Sequence, residues 1–127
     1  MADLRANRGR PSSGSSPLII LTTTGAKTGR RFEKPVCVVE DGSDVIVAAT
    51  AGGQPKHPLW YSNLVANPEL TVEYLGETYQ ARASTVPNST DRDRLFERMS
   101  HEITGIYGYQ DRCREQRQIP IVRLERI

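Results

Sequence analysis

Two stretches gather the residue types that could hold a ligand. The first, Thr22–Pro35, reads TTTGAKTGRRFEKP and places Lys27, Arg30, Arg31 and Lys34 within eight positions. Thr28 adds a hydroxyl, and Gly25 and Gly29 free the backbone to turn. A loop of this kind can present cations and backbone N–H groups to an anion. The second, Thr50–Pro68, reads TAGGQPKHPLWYSNLVANP and holds the only Trp of the chain. Gly52 and Gly53 permit close backbone approach, Trp60 and Tyr61 supply flat walls, and Asn63 supplies an amide. Two such loops could hold the two ends of one ligand, a flat ring and a charged tail.

Each feature also has a plainer reading. The basic loop could be a solvated turn, Trp60 a core anchor and Asn63 a loop cap. Tyr107 and Tyr109, set between glycines, could border a substrate pocket or close the core. His57 reads as a helix-start residue. Gly25–Gly29 is not a nucleotide phosphate loop: the four-residue spacer and the closing Gly-Lys-Ser/Thr are missing, and no helix pattern follows. No Ser/His/Asp or Cys/His set and no paired carboxylates fall on these loops, so any redox chemistry would belong to a cofactor.

The elements that position these stretches are read from pattern. The chain of 127 residues suits one domain. Residues 1–16 are small, polar and basic and read as a flexible lead to a folded unit over 17–127. Apolar β-branched runs predict strands at 17–24, 35–40 and 45–50, with Asp41–Asp44 as a hairpin turn. A short helix is expected over 57–66, with Pro58 in its first turn. The segments 69–75 and 77–86 alternate as a meander with one wet face. Ser89–Asp91 caps a helix running to about Ile103, which Gly105–Gln110 then breaks. Residues 111–118 read as a solvated helical turn and 119–124 as the last strand. The order βββαββαβ, without βαβ periodicity, predicts a mainly β, α+β fold: a small antiparallel barrel with helices packed outside.

The net charge of +2 is too weak to argue for nucleic acid. Its distribution is uneven: residues 1–34 hold seven Lys/Arg against Asp3 and Glu33. Cys37 and Cys113 are far apart and in no metal-ligand spacing, which points to a reducing cytoplasm and no metal site. No apolar run approaches the ~20 residues of a membrane helix. Peripheral contact with the inner face of the cell membrane stays open.

The run LTTTGAKTGRRFEKPV, the longer TAGGQPKHPLWYSNLVANP, Tyr109-Gln110 and the closing IPIVRLE together resemble one family. It is the deazaflavin (coenzyme F420)-dependent nitroreductase and quinone reductase family of actinobacteria, within the flavin/deazaflavin split-barrel superfamily. The likeness runs from about Leu18 to the end. It implies a split β-barrel holding reduced F420 and passing a hydride to a small-molecule electron acceptor: a quinone, nitro compound or enone. It also implies cofactor-binding positions. The phosphate and oligoglutamate tail would lie along Lys27, Thr28, Arg30, Arg31 and Lys34. The ring would lie by Pro35, Val36 and Cys37, by Ala49, Thr50, Ala51, Gly52 and Gly53, and by Trp60, Tyr61 and Asn63. Ala26, Phe32 and Ala51 stand where the family often has cations, which leaves Arg31 as a replacement for the tail. Ile103 and Ile106 take two places usually given to lid tyrosines. The alternatives are an FMN-binding barrel of the same kind and a non-enzymatic protein that sequesters F420. A monomer or a homodimer is equally compatible.

Overall fold

The computed structural model describes residues 18–127; the expected lead over 1–16 lies outside them. Seven strands form one antiparallel sheet: β1 (Leu18–Thr24), β2 (Arg31–Cys37), β3 (Val39–Asp41), β4 (Asp44–Ala48), β5 (Glu69–Tyr74), β6 (Glu77–Thr85) and β7 (Ile121–Arg126). Three helices accompany them: α1 (Leu59–Ala66), α2 (Thr90–Glu102) and α3 (Ile106–Cys113). A single 3-10 turn spans Ala51–Gly53.

The strand order is β2-β1-β5-β6-β7-β4-β3. Strands β2 and β3 therefore lie on opposite edges, yet only Val38 separates them in the chain. Cys37 pairs with Leu18 while Val39 pairs with Ile46. One residue cannot span a flat sheet of this width, so the sheet curls until its two edges meet at Val38. This is the antiparallel split barrel that the sequence predicts, with helices outside.

Alternation along the strands fills two cores. Val45 and Val47 of β4, with Val122 and Leu124 of β7, join Ile19, Leu21, Trp60 and Leu64 inside the barrel. Ile46, Ala48 and Ile121 point the other way, against Leu95, Phe96, Met99, Ile106 and Cys113 of α2 and α3. The near-continuous apolar runs of β4 and β7 follow from this double burial. Ser89 caps α2 by accepting from the Arg92 N–H at 3.1 Å, as its position predicts.

Several element boundaries shift by one or two residues from the expected ones, and three differ in ways that bear on the site. Pairing with β1 extends β2 back to Arg31, so the basic loop shrinks to Gly25–Arg30. The strand expected over 35–40 splits at Val38, where the chain changes edge. The helix expected after Gln110 begins at Ile106, with Gly105 (φ 88°) alone as the break. Gly108 inside it costs about 1 kcal/mol relative to Ala. Burial of a residue such as Ile106 stabilises by about 1.5–3 kcal/mol, which outweighs that cost.

Candidate functional site

The basic loop is built to a fixed shape. Its ends are closed by Gly25 N–H donating to the Arg30 carbonyl at 2.6 Å and Gly29 N–H to the Gly25 carbonyl at 3.0 Å. A side chain at Gly25 would have its Cβ 2.9 Å from Phe32 Cε2 and 3.0 Å from Thr28 Oγ1, so glycine permits that closeness. Buried Asn63 of α1 ties the loop to the barrel. Its Oδ1 accepts from Ala26 N–H and its Nδ2 donates to Thr23 Oγ1, each at 3.1 Å. Asn67 adds a bond from Nδ2 to the Thr24 carbonyl at 3.3 Å. Lys27, Arg30 and Lys34 are exposed cations. Arg31 donates through Nη2 to Thr71 Oγ1 at 3.1 Å, two strands away.

A groove of about 490 Å³ opens where the two sheet edges meet. Its walls include Lys34, Pro35, Val36 and Cys37 from β2, Thr50, Ala51 and Gly52 from the glycine turn, Trp60 from α1 and Tyr109 from α3. Two segments more than a dozen residues apart in sequence are thereby brought together, with Leu18, Ala48, Gln54, Pro58 and Ile103 completing the wall. The turn is left-handed throughout, with φ of 46° at Ala51, 63° at Gly52 and 80° at Gly53. Its Gly53 and Gln54 N–H groups donate back to the Thr50 and Ala51 carbonyls. Among the described residues the N–H groups of Ala51 and Gly52 have no acceptor. The groove thus offers apolar walls, one lysine and a glycine turn with two N–H groups not used within the described residues, which suits a flat ring with carbonyl edges.

The rest of the expected site is divided between the groove's surroundings and places apart from it. Gly53 faces α3, where an added Cβ would be 2.9 Å from Tyr109 Cα and O. Ala49 is buried. Tyr61 turns to the opposite side of α1, its hydroxyl 2.8 Å from Thr85 Oγ1. Asn63 acts through the loop it ties. Tyr107 is elsewhere: its ring packs at a tilt against Phe96, centroids 5.1 Å apart, and its hydroxyl donates to Glu97, beside a different hollow. Ile106 is buried in the outer core, whereas Ile103 reaches the groove.

Sequence reasoning missed Arg117, nearly buried behind the glycine turn. It donates to the carbonyls of Gln54, Ala49 and Thr50 and to His57 Nδ1. Its place in the charged run 111–118 hides it; adjacency to the apolar strand that follows is the one available signal. His57 is held below its usual pKa of 6.5 by desolvation and by the neighbouring Arg117. The Cys37 thiol is pushed up by burial and by Glu102, so it is protonated at neutral pH and no thiolate nucleophile faces the groove. No group of three or more His, Cys, Asp or Glu among the described residues could hold a metal.

Hairpin β1–β2 links the two halves of the site. Its Leu18–Cys37 end lines the groove and its Thr24–Arg31 end carries the basic loop. At ~3.3 Å per residue the two ends are about 20 Å apart, with Lys34 between them.

Known proteins resemble this chain in sequence and fold. An F420H(2)-dependent quinone reductase of Mycobacterium tuberculosis (strain H37Rv) is 34% identical over 115 residues, which is 89% of this chain and 76% of that one. The structure of an F420-H2 dependent reductase superposes with a TM-score of 0.75 at 30% identity, covering 86% of this chain and 94% of the other. A domain-swapped dimer superposes with a TM-score of 0.77 at 28% identity, covering 94% and 90%. Residues 2–126 match the model of the F420H(2)-dependent quinone reductases, and the chain belongs to that family.

Proposed function

We propose that the groove and the basic loop together form the F420 site of a reductase that acts on a quinone. The carrying observation is their disposition on one hairpin: a groove over the Leu18–Cys37 end that reaches as far as Lys34, and exposed cations that begin about 10 Å beyond it at the Thr24–Arg31 end. That spacing suits a cofactor with an aromatic head and a long anionic tail better than a compact flavin mononucleotide. Reduced F420 supplies a hydride to the acceptor.

The chain's own residues bind, orient and shelter. Ala51 and Gly52 N–H groups receive the oxygen-bearing edge of the ring. Trp60, Val36 and Pro35 give it apolar walls. Lys34 stands between ring and tail, and Lys27, Thr28 and Arg30 meet the tail, with Arg31 nearby but held by Thr71. The acceptor takes the remaining space beside Ile103 and Tyr109, where an apolar wall favours a flat quinone and dry surroundings for transfer. Reduction is a two-electron step: the quinone gains a hydride and a proton, the same two that conversion of F420H2 to F420 gives up, and becomes a hydroquinone. Among the described residues no helix is long and apolar enough to cross a membrane. We assign the protein to the cytoplasm, with small molecules as its partners, as a homodimer like the domain-swapped relative.

The test is a titration of the purified protein with F420, followed by steady-state assay with F420H2 and a panel of quinones, nitroaromatics and enones. Micromolar binding and quinone-dependent oxidation of F420H2 are expected. Lys27→Ala should weaken F420 by about 1–3 kcal/mol, the value of a charge-assisted bond. An unchanged dissociation constant removes Lys27 from the site. FMN bound in preference to F420 overturns the cofactor assignment.

A further inference from the structure

Arg117 belongs to the connection between α3 and β7, and its side chain crosses to a loop more than sixty residues earlier in the sequence. It is 9% exposed. Its Nε donates to the Gln54 carbonyl at 3.0 Å, Nη2 to the Thr50 carbonyl at 2.6 Å, and Nη1 to the Ala49 carbonyl at 2.9 Å and to His57 Nδ1 at 3.1 Å. Because a guanidinium can only donate, His57 accepts through an unprotonated Nδ1. The arginine's own backbone is pinned as well. Its N–H donates to the Cys113 carbonyl at 2.9 Å, and its carbonyl accepts from Gln110 Nε2 at 3.1 Å.

The gripped loop needs such a hold. Three successive residues have positive φ, and one of them, Ala51, is an L-residue for which that region is disfavoured. With the carbonyls of Ala49, Thr50 and Gln54 committed to Arg117, the loop keeps the shape in which Thr50, Ala51, Gly52 and Gln54 line the groove. Arg117 itself is not part of that wall.

We propose that Arg117 is a positioning residue for the reaction: without touching the ligand, it fixes the glycine turn in the form that receives the ring. This inference rests on the reading of the groove as the F420 site. A lysine cannot substitute, because its three donors diverge from one nitrogen whereas the acceptors are spread along a planar fork.

The experiment compares wild type, Arg117→Lys and His57→Ala, with folding checked by circular dichroism and thermal melting. Oxidised F420 is titrated by fluorescence, and the KM of menadione is measured at saturating F420H2. Hydrogen exchange is followed at Gly53 and Gln54. For Arg117→Lys the F420 dissociation constant rises about tenfold or more, the effect of losing a charged hydrogen bond. Exchange at Gly53 and Gln54 quickens while the β5–β6 amides are unaffected, and the menadione KM stays near the wild-type value. His57→Ala, which removes one exposed acceptor of the four, gives a smaller rise of about two- to fivefold. A folded Arg117→Lys protein with wild-type F420 affinity overturns the proposal. If Arg117→Lys does not fold, His57→Ala decides, and an unchanged dissociation constant there overturns it equally. Failure of the wild type to bind F420 at all is a separate result: it refutes the groove assignment, and this inference with it.

Discussion

Gly52 and Gly53 are neighbours with the same handedness, yet the structure assigns them different costs of substitution. Both have positive φ, at 63° and 80°, so an alanine at either position meets the left-handed penalty of about 1–2 kcal/mol. Gly52 has nothing within 4 Å of where its Cβ would sit. At Gly53 the Cβ would be 2.9 Å from both Cα and O of Tyr109 and 3.3 Å from Arg112 Cδ. Two of those atoms are backbone and cannot swing aside, so α3 must move. Overpacking of this kind costs about 1–3 kcal/mol, which brings Gly53→Ala to about 2–5 kcal/mol. For a domain of this size about 1 kcal/mol shifts Tm by roughly 3–5 °C. Urea denaturation and thermal melts of the two variants read the difference directly. Gly52→Ala should lose only that left-handed penalty of about 1–2 kcal/mol, and should weaken F420 binding, because its new methyl enters the groove. Gly53→Ala should lose two to three times as much stability. Equal losses would refute the claim that α3 packs on this turn.

Asn63→Ala removes two hydrogen bonds that join α1, the basic loop and β1. It should cost about 2–4 kcal/mol in urea denaturation, since two bonds go and the buried Thr23 hydroxyl loses its partner, and it should weaken F420 through the loosened loop. Ala51→Gly relieves the left-handed residue at the expense of unfolded-state entropy, so stability should rise by about 0.5–1 kcal/mol or stay level in the same assay. The lowered pKa of His57 favours its neutral form in the folded state. Its contribution is therefore complete above pH 6.5 and is lost as pH falls through the depressed folded value. Urea midpoints measured between neutral and mildly acidic pH should fall in wild type and fall less in His57→Gln. Asp41, held below its usual pKa by bonds from Arg94 and Arg123, keeps its contribution across that window and loses it only at lower pH.

The barrel was legible because β4, β5, β6 and β7 announce themselves by composition, and because the turns at Gly42 and Gly76 are unambiguous. The edge change at Val38 was not: a strand that leaves one edge and joins another reads as one apolar run. Helix α3 was misplaced because two glycines and two tyrosines look like a breaker until the buried face of Ile106 and Cys113 is known. At the site, the groove walls from Pro35 to Cys37 followed from the family resemblance and those from Thr50 to Gly52 from the glycine motif, whereas Lys34 was expected at the tail and lines the groove. The division of labour within them was not. Asn63 and Tyr61 sit in the same motif, yet one ties the basic loop and the other bonds Thr85. Local pattern marks Arg117 only by its nearness to the apolar strand that follows; what singles it out is a set of carbonyls from a distant loop.

The seam at Val38 bears on how the cavity can adapt. Elsewhere around the barrel, widening the wall would break paired amides and carbonyls, but β2 is not laddered to β3 or β4. Widening the mouth at that single covalent link would therefore cost packing around buried Val38 but no sheet pairing.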